Sequence, residues 1–103
     1  LLGKVLTRHR IAFDEAENRA DAVKLLKQTP YTLVFLDLMV PRVDGWGVID
    51  FIRRTLRDKQ PRLFVITGVQ NQALSSADRD VVTGLIYKPL DPAEVDKVIV
   101  QVA

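Results

Sequence analysis

Val34-Phe35-Leu36-Asp37-Leu38-Met39-Val40-Pro41-Arg42-Val43-Asp44-Gly45 is the stretch that decides the fold. Residues 32–36 form a continuous apolar run that is too short for a buried helix. They suit a strand covered on both faces. Pro41 and the Asp44-Gly45 pair then interrupt any regular ladder, as loop residues do. Beyond Gly45-Trp46-Gly47, the residues Val48, Ile52 and Leu56 recur at helical spacing. The stretch therefore reads as strand, loop and helix, with a carboxylate at the point where the strand gives way to the loop.

The same alternation continues in both directions. Upstream, Leu2, Val5 and Leu6 give a short amphipathic helix from the first residue. Ile11 and Phe13 give a period-two strand over residues 10–16, and Asn18 caps a helix running to about Gln28 with Ala22, Leu25 and Leu26 inward. Downstream, residues 63–66 are a short apolar run, residues 76–83 a weaker helix closed by Gly84, and residues 85–87 a last strand. Asp91-Pro92-Ala93-Glu94 then opens a helix with an N-cap acid, Pro at the first position and Glu at the third. Its inner face is Val95, Val98, Ile99 and Val102. The order α-β-α-β-α-β-α-β-α with short connections predicts an α/β fold: a doubly wound parallel sheet with helices on both faces.

Composition removes whole classes of function. The 103 residues fit a single domain, 1–103, and 48% hydrophobic content is that of a globular protein. Zero Cys excludes disulfide scaffolds, thiolate zinc sites and cysteine nucleophiles; the single His, His9, excludes multi-histidine metal sites. No apolar run reaches the roughly 20 residues of a membrane span. The net charge is only +2. The densest basic stretch, Arg53, Arg54, Arg57, Lys59 and Arg62 interrupted by Asp58, has no interleaved aromatics and reads as the solvated end of a helix. Direct nucleic-acid contact and membrane insertion are not expected.

Doubly wound sheets place their chemistry at the carboxyl ends of the strands. Three strands here end in a polar side chain: Asp37, Thr67 and Lys88. Singly, each is an ordinary turn former, strand former or surface cation. Together they bring a carboxylate, a hydroxyl and an ammonium to one rim, which suits phosphoryl transfer to a carboxylate. Asp37 would attack phosphorus, Lys88 would pair with a phosphoryl oxygen, and Thr67 would donate to another. Gly68 leaves room beside the group. A divalent cation held by oxygen ligands would complete the chemistry.

The segment 34–45, together with Ile66-Thr67-Gly68 and Tyr87-Lys88-Pro89-Leu90, resembles the three signatures of bacterial response-regulator receiver domains, in order and over essentially the whole chain. The resemblance implies the flavodoxin-like receiver topology, with Asp37 as phosphoacceptor, Thr67 as switch hydroxyl and Lys88 as phosphate-binding lysine. It also implies Mg²⁺ held by Asp37 and the Met39 backbone carbonyl, a cis Lys88–Pro89 bond, and a loop shaped by Pro41, Asp44 and Gly45. The partners implied are a histidine kinase or phosphotransfer protein, and an effector domain or partner protein met by the last two helices and the strand between them. A homodimer is compatible with that surface. The domain would be cytoplasmic and act as a regulatory phosphoacceptor, with at most self-catalysed phosphoryl transfer and dephosphorylation, and not as an enzyme.

Two departures qualify the resemblance. Receiver domains open with a strand ending in an acidic pair that holds Mg²⁺, and counting back places that strand before Leu1. The domain is thus expected to be N-terminally incomplete, with the first strand missing and the remaining acidic ligands upstream. Asp14, Glu15 and Glu17 belong to the next strand and its exit. Position 85, often aromatic in the family, is Leu. The alternative to a phosphoacceptor is a pseudo-receiver that binds partners independently of phosphorylation. An Asp-nucleophile phosphatase would need a second Asp at position 39, which is Met.

Overall fold

Among the described residues the first helix, α1 (Arg19–Gln28), begins where the Asn18 side chain accepts a hydrogen bond from the Asp21 amide at 2.8 Å. The cap satisfies one of the amides that a helix start leaves without an intrahelical partner. In the computed structural model, which describes residues 12–38, 43–56, 58, 60–68 and 76–102, six further elements follow. They are β1 (Leu33–Asp37), α2 (Gly45–Thr55), β2 (Arg62–Thr67), α3 (Ser76–Val81), β3 (Gly84–Tyr87) and α4 (Pro92–Val102). The helix expected around Leu2, Val5 and Leu6 lies outside the described residues.

The three strands form one parallel sheet in the order β1-β2-β3, with Asp37 opposite Ile66 and Thr67 opposite Tyr87. Strand alternation sorts the side chains into two cores. Val34, Leu36, Leu63 and Val65 face α1 and α2, where Leu26, Val48, Ile49 and Ile52 pack. Leu33, Phe35, Phe64 and Ile66 face the opposite way, against Val95, Val98 and Ile99 of α4. Helices thus cover both faces, as expected of a doubly wound sheet. Thr83 extends the β2–β3 pairing by one residue: its amide donates to the Leu63 carbonyl at 2.7 Å and its hydroxyl accepts from the Leu63 amide at 3.1 Å. Gly84 is therefore the first residue of β3 and not the stop of α3, which already ends at Val81.

The strand expected over residues 10–16 is not formed by its described part. Residues 12–16 have no regular structure, and among the described residues β1 pairs only with β2. Among the described residues no strand stands between this segment and β1, where receiver topology would place one, and an extended segment without a neighbour cannot satisfy its main-chain groups in a sheet. A slot of about 380 Å³ lies in that position, lined by residues 12–16, α1 and β1. Residues from both faces of β1 (Leu33, Val34, Phe35, Leu36) border it, so it runs along the strand's open edge. The Arg62 amide donates to the Thr32 carbonyl and the Leu38 amide to the Ile66 carbonyl. By alternation, Leu33 and Phe35 turn their main-chain groups towards the slot.

Candidate phosphoacceptor site

The site is built from strand ends. β1 delivers Asp37 to the rim, β2 delivers Thr67, and β3 is followed by Lys88. The Lys88 Nζ lies 2.8 Å from Asp37 Oδ2, with the two side chains 37% and 27% exposed. That separation is a charge-assisted hydrogen bond across the end of β2, from the residue that follows β3 to the last residue of β1. Both groups remain open enough for a small anion to reach them. Thr67 sits between their strands and is 2% exposed, so its hydroxyl is held in a fixed environment. The Lys88 amide donates to the Thr67 carbonyl at 2.9 Å, which ties the lysine's backbone to β2. Lys88–Pro89 is cis, as the resemblance implied.

The exit of β1 is shaped by α2. Asp44 takes a left-handed φ of 50°, tolerable for Asp, and caps α2 by accepting from the Gly47 amide. A Cβ at Gly45 would stand 2.5 Å from Leu38 Cδ2. A side chain at position 45 would thus oblige the Leu38 side chain, next to Asp37, to shift. Gly68 is exposed beside Thr67, and Pro89 is exposed beside Lys88. Met39 and Pro41 lie outside the described residues.

Asp37 offers a carboxylate of the kind Mg²⁺ takes, but among the described residues no group of three or more His, Cys, Asp or Glu side chains could hold a metal. One carboxylate falls far short of octahedral oxygen coordination. The described residues alone therefore do not make a Mg²⁺ site.

A feature the sequence reading did not anticipate is the hydrogen bond from the Tyr31 hydroxyl to Asp14 Oδ2 at 2.5 Å. It ties the irregular segment to the approach of β1. The Asp14 carboxylate holds the Tyr31 pKa above its ordinary 10.0, with a smaller contribution from burial. No sequence signal pairs two polar residues so far apart.

The response regulator receiver domain family matches residues 1–100. The chain belongs to that family. It is 33% identical over 96 residues to the transcriptional regulatory protein ResD of Bacillus subtilis, covering 92% of this chain and 39% of ResD. It spans less than two fifths of the curated relatives it matches. Among solved structures, the signal receiver domain of a response regulator from Bermanella marisrubri has a TM-score of 0.83 at 27% identity, covering 98% of this chain and 84% of that one. The response regulator TrrA of Thermotoga maritima, solved in complex with Mg²⁺-BeF, has a TM-score of 0.79 at 22% identity, covering 99% and 86%. The receiver fold is thus shared well beyond the three motifs. Among the described residues of this receiver domain, no helix is long and apolar enough to cross a membrane.

Proposed function

We propose that this receiver domain is the phosphoacceptor module of a two-component system, and that Asp37 takes a phosphoryl group from a histidine kinase or phosphotransfer protein. The observation that carries the reading is the Lys88–Asp37 contact at the rim of the parallel sheet. A carboxylate oxygen of Asp37 attacks phosphorus, the bond from phosphorus to the donor's imidazole nitrogen breaks, and an acyl phosphate remains on Asp37. Lys88 moves its ammonium from the carboxylate to a phosphoryl oxygen, a short shift for a flexible side chain. The Thr67 hydroxyl donates to a second phosphoryl oxygen. The domain thereby acts as a phosphorylated regulator and not as a turnover catalyst.

Mg²⁺ neutralises charge on the transferring group when bound. Asp37 and the Met39 backbone carbonyl would hold it, as the resemblance implies. We place the remaining acidic ligands on a further strand that fills the slot beside β1. The phosphorylated state acts on an effector or partner through α3, β3 and α4. That surface exposes Leu85, Tyr87 and Val100, the last by 68%. Dependence on a histidine kinase assigns the domain to the cytoplasm.

The test is incubation with Mg²⁺ and a small phosphodonor such as acetyl phosphate, on a chain extended upstream through the proposed strand. Intact mass spectrometry should show one added phosphoryl group on the native sequence and none on Asp37→Asn. Equal labelling of the two sinks the assignment.

A further inference from the structure

The outer surface of the α1–α2 layer carries a groove of about 750 Å³ that has no part in the acceptor site. Ala20, Val23, Lys24 and Lys27 of α1 fall on one stripe at i, i+3, i+4 and i+7, and Phe51 of α2 forms the opposite wall. Arg19 closes one end, where its guanidinium meets Asp44 at 3.2 Å. The lining is apolar along its floor and cationic along its margin, with no acidic residue in it. No carboxylate among the described residues pairs with Lys24 or Lys27. The nearby Asp50 is already engaged by Arg53 and Arg54.

We propose that this groove docks an acidic amphipathic helix of a partner protein. Charge complementarity selects the acidic partner: two lysines without a carboxylate partner among the described residues border an apolar floor, and a helix with an apolar stripe flanked by Glu or Asp matches both features. The form of the partner follows from the main chain. Both walls are helices whose central amides and carbonyls are bonded internally, so the groove offers no ladder to an extended peptide. A helix satisfies its own backbone and needs only side-chain contacts. α1 is 10 residues long, about 15 Å, which matches two to three turns of a partner helix. A nucleic acid fits less well, because the Lys27 ammonium stands over the Phe51 ring at 5.9 Å where a base would have to stack.

The probe is a stapled helical peptide of about 14 residues with Leu at i, i+3, i+4 and i+7 and Glu on the flanks, titrated into the full chain by fluorescence anisotropy. Saturable binding is expected, weakened about tenfold by Lys24→Glu combined with Lys27→Glu and weakened again by replacing the peptide's Glu with Gln. Amide shifts should gather in α1 and around Phe51. Lys24→Gln with Lys27→Gln, which only neutralises the lysines, should weaken binding by a smaller factor and guards against misfolding of the reversed variant. Absence of saturable binding overturns the proposal. So do indifference to both lysine pairs, shifts centred on the β1 slot or on β3, and equal affinity for a single-stranded oligonucleotide.

Discussion

β2 pairs directly with β1, residues 12–16 lie across the slot from it, and the two have opposite fates. β2 is hydrogen-bonded on both sides, and Leu63, Phe64, Val65, Ile66 and Thr67 are all buried. Residues 12–16 have no ladder, and Phe13 is 40% exposed. Both regions have apolar residues suited to strands. The difference is neighbours: a strand is stabilised by what pairs with it more than by its own preference. The acceptor site inherits the same contrast. Its Thr67 and Lys88 parts are anchored on paired strands, whereas Asp37 stands on the strand whose other edge borders a slot.

The largest effect that sharpens this comparison is a cavity in the paired half. Ile52 is fully buried beneath β1 and β2, and Ile52→Ala should cost about 2–5 kcal/mol. Phe13→Ala, in the unpaired half, should change stability by no more than about 0.5 kcal/mol. Denaturant unfolding of the two variants decides the matter, and a comparable loss at Phe13 would mean that residues 12–16 already belong to the core.

Extending the chain upstream by an apolar strand ending in two acids should come next. Filling the slot buries two or three side chains, and after the ordering cost a gain of about 2–3 kcal/mol is expected. Calorimetry should show Mg²⁺ binding tighten in step with the melting temperature. A chain that gains neither would place the missing ligands elsewhere, with Glu15 and Glu17 the first to replace.

Lys88→Ala should leave stability within about 1 kcal/mol, because the Lys88–Asp37 pair is partly exposed and screened. Its effect should fall on the phosphorylated state. The shift in partner binding on phosphorylation should shrink while labelling of Asp37 persists, measured on one preparation. An undiminished shift would make Lys88 a surface cation only.

The smallest effect concerns Tyr31. Its folded pKa is raised by the hydrogen bond to Asp14, so the stability it contributes is full below the unfolded value of 10.0. That contribution is lost as pH rises through the folded value. Tyr31→Phe should therefore lower stability slightly near neutral pH and remove part of the loss seen above about pH 10. Parallel alkaline unfolding curves for the two proteins would break the link between Tyr31 and the irregular segment.

Much of this arrangement was legible from residue patterns because it depends on local signals. Asn18 and Asp91 mark helix starts, and both cap as expected, Asp91 Oδ1 accepting from the Ala93 amide at 2.9 Å. The apolar runs before Asp37, Thr67 and Lys88 announce strands whose ends must meet if the sheet is parallel. Residues 12–16 misled because their alternation is a statement about burial in a partner that the described residues do not supply. The Tyr31–Asp14 bond and the cationic groove beside Phe51 were invisible for a related reason. Each joins side chains from separate segments, and only the packing of α1 on α2 and β1 brings them together.

The central claim is that Asp37 is the residue that takes the phosphoryl group. An acyl phosphate is reduced by borohydride to an alcohol, which converts a phosphorylated Asp into homoserine. The most direct measurement is tandem mass spectrometry of the peptide containing β1 after phosphodonor treatment and reduction of the upstream-extended chain. Homoserine at position 37, absent without phosphodonor and absent when Mg²⁺ is chelated, is the predicted result. Homoserine at Asp14, Asp44 or Asp50 with position 37 unchanged, or a phosphoryl group that resists reduction and maps to His9, would contradict it.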